Sequence, residues 1–204
     1  MKHCIKPRVG SLVVCAAALL AGCATTATAP LSTASVAPYN DVVDLAGRLS
    51  VNYIKQGKQE SLSGKFAWHQ QGPRTDVTLS SPLGQQIAAI TVTPQEATYR
   101  EGKEAPRSAP DIDTLSAQTL GWPLPVSGLR DWLQGYATAA GGQRFAASPA
   151  RNKVTTQDGW KLEFVSWQEG SSPPRPRRID AARGAGGDIE EVAIRIVIDP
   201  AAGQ

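Results

Sequence analysis

The sequence is poor in the residue types that most often carry chemistry. Among its 204 residues there are two histidines, three cysteines and one methionine. No cysteine follows Cys23, so no disulfide can staple the body of the chain, which must stand on its apolar core. His69 is the only histidine after His3, and it falls on the polar side of an alternating stretch. A catalytic triad or a zinc site needs more partners than that. No Gly-x-x-x-x-Gly-Lys-Ser/Thr loop occurs, so nothing points to nucleotide hydrolysis. The glycine-rich Arg183–Asp188 stretch lacks a following helix and reads as a hairpin loop. The longest apolar run, Val9–Ala21, is too short to span a bilayer comfortably. These absences predict no catalytic residue, no metal and no cofactor.

What is present begins at the N-terminus. Lys2, Lys6 and Arg8 precede the apolar run, which ends in Leu20-Ala21-Gly22-Cys23. A charged start, a short apolar middle and small residues at the end describe a secretory leader. The Leu-Ala-Gly-Cys ending resembles the lipobox of bacterial lipoproteins. That resemblance implies cleavage after Gly22 and lipid on Cys23, which becomes the first mature residue. Residues 1–22 hold three of the 21 bases and none of the 18 acids, so the remaining chain balances at 18 against 18. The basic pI belongs to the leader and argues for no nucleic-acid partner.

From Ala24 to Asn40 the chain is mostly Ala, Thr, Ser and Pro without charge, which predicts a flexible tether over residues 23–40. Seventeen such residues have an r.m.s. span on the order of 20–25 Å. The domain is then expected over residues 41–204. Its dominant signal is period-two alternation. Leu45, Gly47, Leu49, Val51 and Tyr53 share one face; Leu62, Gly64, Phe66 and Trp68 repeat the pattern, as do Val77 with Leu79. Weaker runs cover 85–93 and 97–100, and Trp160, Leu162 and Phe164 precede the clearest stripe, Val192, Ile194, Ile196 and Ile198. Lys55-Gln56-Gly57, Gln71-Gly72-Pro73, Gln157-Asp158-Gly159 and Gly186-Gly187-Asp188 mark turns, so the strands form an antiparallel sheet or barrel. Asp111 or Asp113 caps a helix ending near Gly121, and Val126–Leu133 gives a second one stopped by Gly135, with Trp122-Pro123-Leu124-Pro125 turning between them. Two helices inside a β chain are placed to cover the sheet's apolar face.

Two apolar features and one basic run are candidate functional elements. Ser80-Ser81-Pro82-Leu83-Gly84 is a turn between strands, and Leu83 either folds back onto the core or stands exposed at its tip. The aromatics, with Phe66 and Trp68 on one strand face, either fill a solid core or line an apolar cavity under the helices. Ser171–Arg178, Pro-rich and basic, reads as a solvated loop, with contact to lipid headgroups or an acidic partner as the alternative.

Four stretches together resemble the LolB family. They are the lipobox with its polar tether; Gly47-Arg48-Leu49-Ser50-Val51 leading into Gly64-Lys65-Phe66-Ala67-Trp68; Leu79-Ser80-Ser81-Pro82-Leu83-Gly84; and, most specific, Gly121-Trp122-Pro123-Leu124-Pro125-Val126-Ser127-Gly128-Leu129-Arg130-Asp131-Trp132-Leu133-Gln134-Gly135. The resemblance spans residues 20 to about 170. It implies a mainly β fold with helices (α+β): an incomplete antiparallel barrel, covered by a helical lid, enclosing an apolar cavity for acyl chains. Phe66 and Trp68 are the lining residues expected on that plan. It places the family's protruding loop on Pro82, Leu83 and Gly84. It implies a monomeric, non-enzymatic acceptor that takes lipoproteins by their acyl chains from a LolA-type periplasmic carrier and delivers them into outer-membrane lipid. Ala24 after Cys23 resembles lipoproteins destined for the outer membrane. The rival expectation is a structural or small-ligand-binding lipoprotein of the envelope.

Overall fold

The computed structural model describes residues 31–120, 126–186 and 189–200. The leader, Cys23, residues 24–30, the Trp122–Pro125 turn and the Gly187-Asp188 turn lie outside the described residues.

Ten strands form a single open sheet in the order β6-β5-β4-β3-β2-β1-β12-β11-β10-β9, all neighbours antiparallel. They are β1 Val42–Lys55, β2 Lys58–Gln71, β3 Arg74–Ser80, β4 Gln86–Val92, β5 Ala97–Glu101, β6 Arg107–Ala109, β9 Lys153–Thr155, β10 Lys161–Trp167, β11 Pro176–Gly186 and β12 Ile189–Ile198. The last strand closes onto the first, with Gly47 opposite Ile198 and Val51 opposite Ile194, so the two strongest stripes of the sequence lie side by side. Between β6 and β9 come the helices α1 Ile112–Leu120 and α2 Val126–Trp132, then a small hairpin of β7 Tyr136–Thr138 and β8 Arg144–Ala146.

The inner face of the sheet is the alternating one. Val51, Phe66, Trp68, Val77, Leu162, Phe164, Ile179 and Ile194 all lie in the core, together with Trp132 and Leu133 from α2 and its exit. Ala97 and Ala109 of β5 and β6 bury against Ile112 and Leu115 of α1. Asp111 caps α1 as expected, accepting from the Thr114 amide at 2.7 Å. Asp113 ties the helices together, accepting from the Ser127 amide at 3.1 Å and its hydroxyl at 2.5 Å.

Gly47 shows how tightly the centre is packed. A Cβ there would stand 2.2 Å from the Val197 carbonyl oxygen and 2.8 Å from the Phe66 ring. The carbonyl belongs to the sheet ladder and has no freedom to yield. Gly47→Ala is therefore expected to destabilise the protein by about 1–3 kcal/mol through overpacking. A urea midpoint unchanged from wild type would contradict this.

Three expectations are corrected here. Residues 32–40 are no tether. Val36 is buried, its amide donates to the Ala147 carbonyl at 2.9 Å, and the Ala150 amide donates to Ser32 at 3.0 Å. Tyr136 donates to the Ala37 carbonyl at 2.7 Å, and Gln134 and Asn40 bond reciprocally at 2.9 and 3.1 Å. The segment is a strap laid over β7 and β8. The compact unit that holds the sheet accordingly begins at Leu31 rather than at residue 41. The basic run is no solvated loop over its second half either. Arg177 and Arg178 belong to β11, and Arg178 grips Asp180 at 2.5 and 3.0 Å. Likewise Arg183 and Gly184, expected in a loop, extend β11.

Candidate functional site

The turn between β3 and β4 follows directly from its residues. Proline favours the second position of a type I turn and glycine the fourth. Here Pro82 and Gly84 hold those places in Ser81-Pro82-Leu83-Gly84. The Gly84 amide donates to the Ser81 carbonyl at 2.8 Å, and Gly84 adopts φ of 91°, where a side chain would be strained. The Ser81 amide then donates to the Gln85 carbonyl at 2.8 Å, while the Ser81 hydroxyl accepts from the Gln85 amide at 3.2 Å. The loop is cross-braced, and Leu83 sits at its outermost place with 98% of its surface exposed. It does not fold back onto the core. At the base, Gly64 of β2 comes so close that a Cβ would meet the Ser80 carbonyl oxygen at 2.6 Å.

Leu83 is not alone at this end. β3 stops at Ser80, opposite Lys65, so the β2 residues before Lys65 have no strand on that side. Leu62, on the apolar face, is therefore 46% exposed. Ile87, at the irregularity where Leu79 faces Ala88 but Ser80 faces Gln86, is 44% exposed. These three make up half of the large apolar side chains exposed among the described residues.

Phe66 and Trp68, the expected cavity residues, lie on the inner face of β2 and are almost fully buried. They share one cluster with Trp132, Trp160, Phe145 and Phe164. Trp132 and Trp160 lie 5.9 Å apart by ring centroid, and Phe164 stacks on both Phe145 and Trp167 at 6.3 Å. At the far end of this face Gln70 is wholly buried and donates to the Tyr39 hydroxyl at 3.2 Å. The half-buried Leu49, Leu79, Ile90 and Leu129 edge the cluster.

A concavity of about 640 Å³ lies elsewhere, on the opposite face of the sheet. Ala182 and Ala193 form part of its floor, and Lys153, Lys161, Asp180 and Arg195 stand around it. Charged side chains ring it, and neither Phe66 nor Trp68, the residues expected at the acyl site, lines it. His69 is on that outer face too, hydrogen-bonded to Asp44 and directly across from Asp76. Asp76 is held below the ordinary carboxylate range by its bidentate bonds from Arg74 at 2.6 and 2.7 Å, helped by Thr91 and opposed by partial burial.

The strap is the element that sequence reasoning missed. Its signal was faint: Val36, Tyr39 and Asn40 stand isolated in small residues. Arg144 covers both Tyr39 and Tyr136, its guanidinium 5.2 and 4.5 Å from the ring centroids.

The family model described as "Outer membrane lipoprotein LolB" matches residues 42–200, from the first strand to just past the last. The chain belongs to the LolB family. The outer-membrane lipoprotein LolB of Cupriavidus necator is 43% identical over 155 residues, covering 76% of this chain and 77% of that protein. That of Cupriavidus metallidurans is 44% identical over 161 residues, covering 76% and 78%. The LolB of Ralstonia nicotianae is 36% identical over 210 residues, covering 94% of this chain and 96% of its own. The LolB match takes in the braced turn, the aromatic face and both helices.

Proposed function

We propose that this chain accepts lipoproteins by their acyl chains from a soluble periplasmic carrier of the LolA type and delivers them into the outer membrane. As a LolB-family protein it is an outer-membrane lipoprotein that acts in lipoprotein localisation. No catalytic family matches it among these relatives, and the proposed work is binding and release. Cys23 carries the lipid anchor after removal of residues 1–22. The domain acts as a monomer. Acyl chains enter between the sheet and the α1–α2 lid, next to Phe66 and Trp68, by parting the half-buried rim of Leu49, Leu79, Ile90 and Leu129. Each buried methylene contributes about 0.8 kcal/mol, so tighter acyl binding than the carrier's is enough to drive acceptance, and the bilayer drives release.

The observation that carries this reading is Leu83. A leucine exposed over 98% of its surface, on a turn braced by three hydrogen bonds, is held out for contact with something apolar. An envelope lipoprotein that only binds small ligands has no use for it. The deciding experiment loads the carrier with a labelled lipoprotein, adds the purified mature protein, and then adds liposomes. The label is expected to pass first to this protein and then to lipid. A label that stays with the carrier would return the protein to the class of structural or ligand-binding envelope lipoproteins.

A further inference from the structure

We propose that Lys65, Arg100 and Lys103 form a cationic rim beside the Leu83 turn and hold the phosphates of anionic phospholipids. The proposal rests on reading Leu83 as the membrane tip and names the lipid chemistry around it.

Strand register brings the three together. Lys65 lies opposite Ser80, the last residue before the turn. Arg100 lies opposite Ala89 on β4, the strand that leaves the turn, and it shares Lys65's outer face through the row Ala67, Thr78, Ala89, Arg100. Lys103 sits in the β5–β6 turn, the next turn along the same end of the sheet. All three side chains are exposed, and none has a carboxylate partner among the described residues.

Of the nearby acids one is paired with a cation, and two accept from neutral phenols and keep their charge. Glu101 accepts from the Tyr99 hydroxyl at 2.9 Å, Glu104 pairs with Arg107 at 3.1 Å, and Glu60 accepts from the Tyr53 hydroxyl at 2.5 Å. Burial, and then its bond to Glu101, push the Tyr99 phenol up to about 12, so this pairing persists through neutral pH. Elsewhere on the sheet's outer face Arg48, Arg74, Lys153, Arg178 and Arg195 each have a carboxylate within 4 Å. Lys161 on that face also lacks a carboxylate within 4 Å among the described residues, so what sets Lys65, Arg100 and Lys103 apart is their place beside an exposed apolar turn. An apolar tip flanked by free cations fits a bilayer surface, where apolar groups pass below the phosphates and cations stop at them. An acidic protein surface would satisfy the charges and leave Leu83, Leu62 and Ile87 in water.

The test uses mature chain made without leader or lipid, whose core lies wholly between Val36 and Ile198. It is floated with vesicles of phosphatidylethanolamine alone, or of phosphatidylethanolamine with phosphatidylglycerol. Phosphatidylglycerol is expected to raise binding. Lys65→Gln, Arg100→Gln and Lys103→Gln are each expected to lower that binding roughly fivefold, and added salt to act likewise. Binding to phosphatidylethanolamine alone should not change. Equal wild-type binding to both vesicles, or a triple variant that keeps its full phosphatidylglycerol response, would overturn the rim. A triple variant that binds both vesicles like wild type but takes cargo slowly from the carrier would overturn it too, and assign the cations to the carrier contact. Leu83→Glu separates the two readings: it should weaken binding to both vesicles and leave the phosphatidylglycerol preference. If it weakens neither, the tip reading falls while the preference still tests the rim.

Discussion

Leu83→Glu is expected to fold, to be lipidated and to accept cargo normally, yet to stall with cargo bound. Magnitudes separate these steps. Burying one leucine contributes only about 1.5–3 kcal/mol, far less than a lipid anchor of two or more chains. Membrane attachment therefore does not need Leu83. Folding does not need it either, because its side chain is 98% exposed and touches no core. In the proposed function its value is local: it would bring the edge of the apolar face to the lipid surface, where chains can leave for the bilayer. A carboxylate at the tip opposes that approach. The measurement is a two-stage transfer in which cargo is followed from carrier to protein and from protein to liposomes. Delivery slowed tenfold or more, with an accumulating loaded intermediate, is the expected result, since about 1.4 kcal/mol at the tip gives a factor of ten. Wild-type delivery would remove Leu83 from the mechanism, and failure to accept cargo would move it to the binding step.

The second large effect is expected far from that tip. Val36→Asp places a carboxylate at a position only 6% exposed, against Gly135 and beside the Ala147 carbonyl. Either the charge is buried at a cost of several kcal/mol or the strap peels away. Peeling releases the Tyr136–Ala37 and Gln134–Asn40 hydrogen bonds and leaves Gln70 without two of its partners. A loss of about 3 kcal/mol, or a melting temperature lower by roughly 6–12 °C, is expected. Val36→Ala should lose about half as much, since it removes apolar contact without adding charge. Hydrogen exchange over residues 32–40 reports peeling directly. An aspartate variant that melts like wild type with a protected strap would refute this account.

Legibility in the sequence followed segment length and turn chemistry. The β1, β2 and β12 stripes were readable because ten or more residues alternate over a buried face. The Leu83 turn was readable because Pro and Gly stand where a type I turn wants them. Only the direction of Leu83 was open, and the four-residue span decides it by leaving no slack for the side chain to turn inward. β7, β8 and β9 have three residues each, too few for a period to show. β11 was obscured because its inward residues include the small Ala181 while Pro174, Pro176 and Gly184 suggested a loop. The strap has no period at all. Its place comes from partners about a hundred positions away, which no local pattern reveals.

If Cys23 carries the anchor, as proposed, the strap also changes how far the domain can stray from it. If the leash began at Asn40, seventeen residues could stretch to about 60 Å. With Ser32 fastened to Ala150, only the eight steps from Cys23 to Leu31 remain, and whatever conformation they take they reach no more than about 28 Å. A domain of this size measures on the order of 40 Å across. The leash is thus shorter than the body it holds. On the proposed function the protein then does not swing clear of the bilayer to meet an incoming carrier in the open periplasm. The carrier would have to come to it, and the encounter would take place within a molecular diameter of the lipid that receives the cargo.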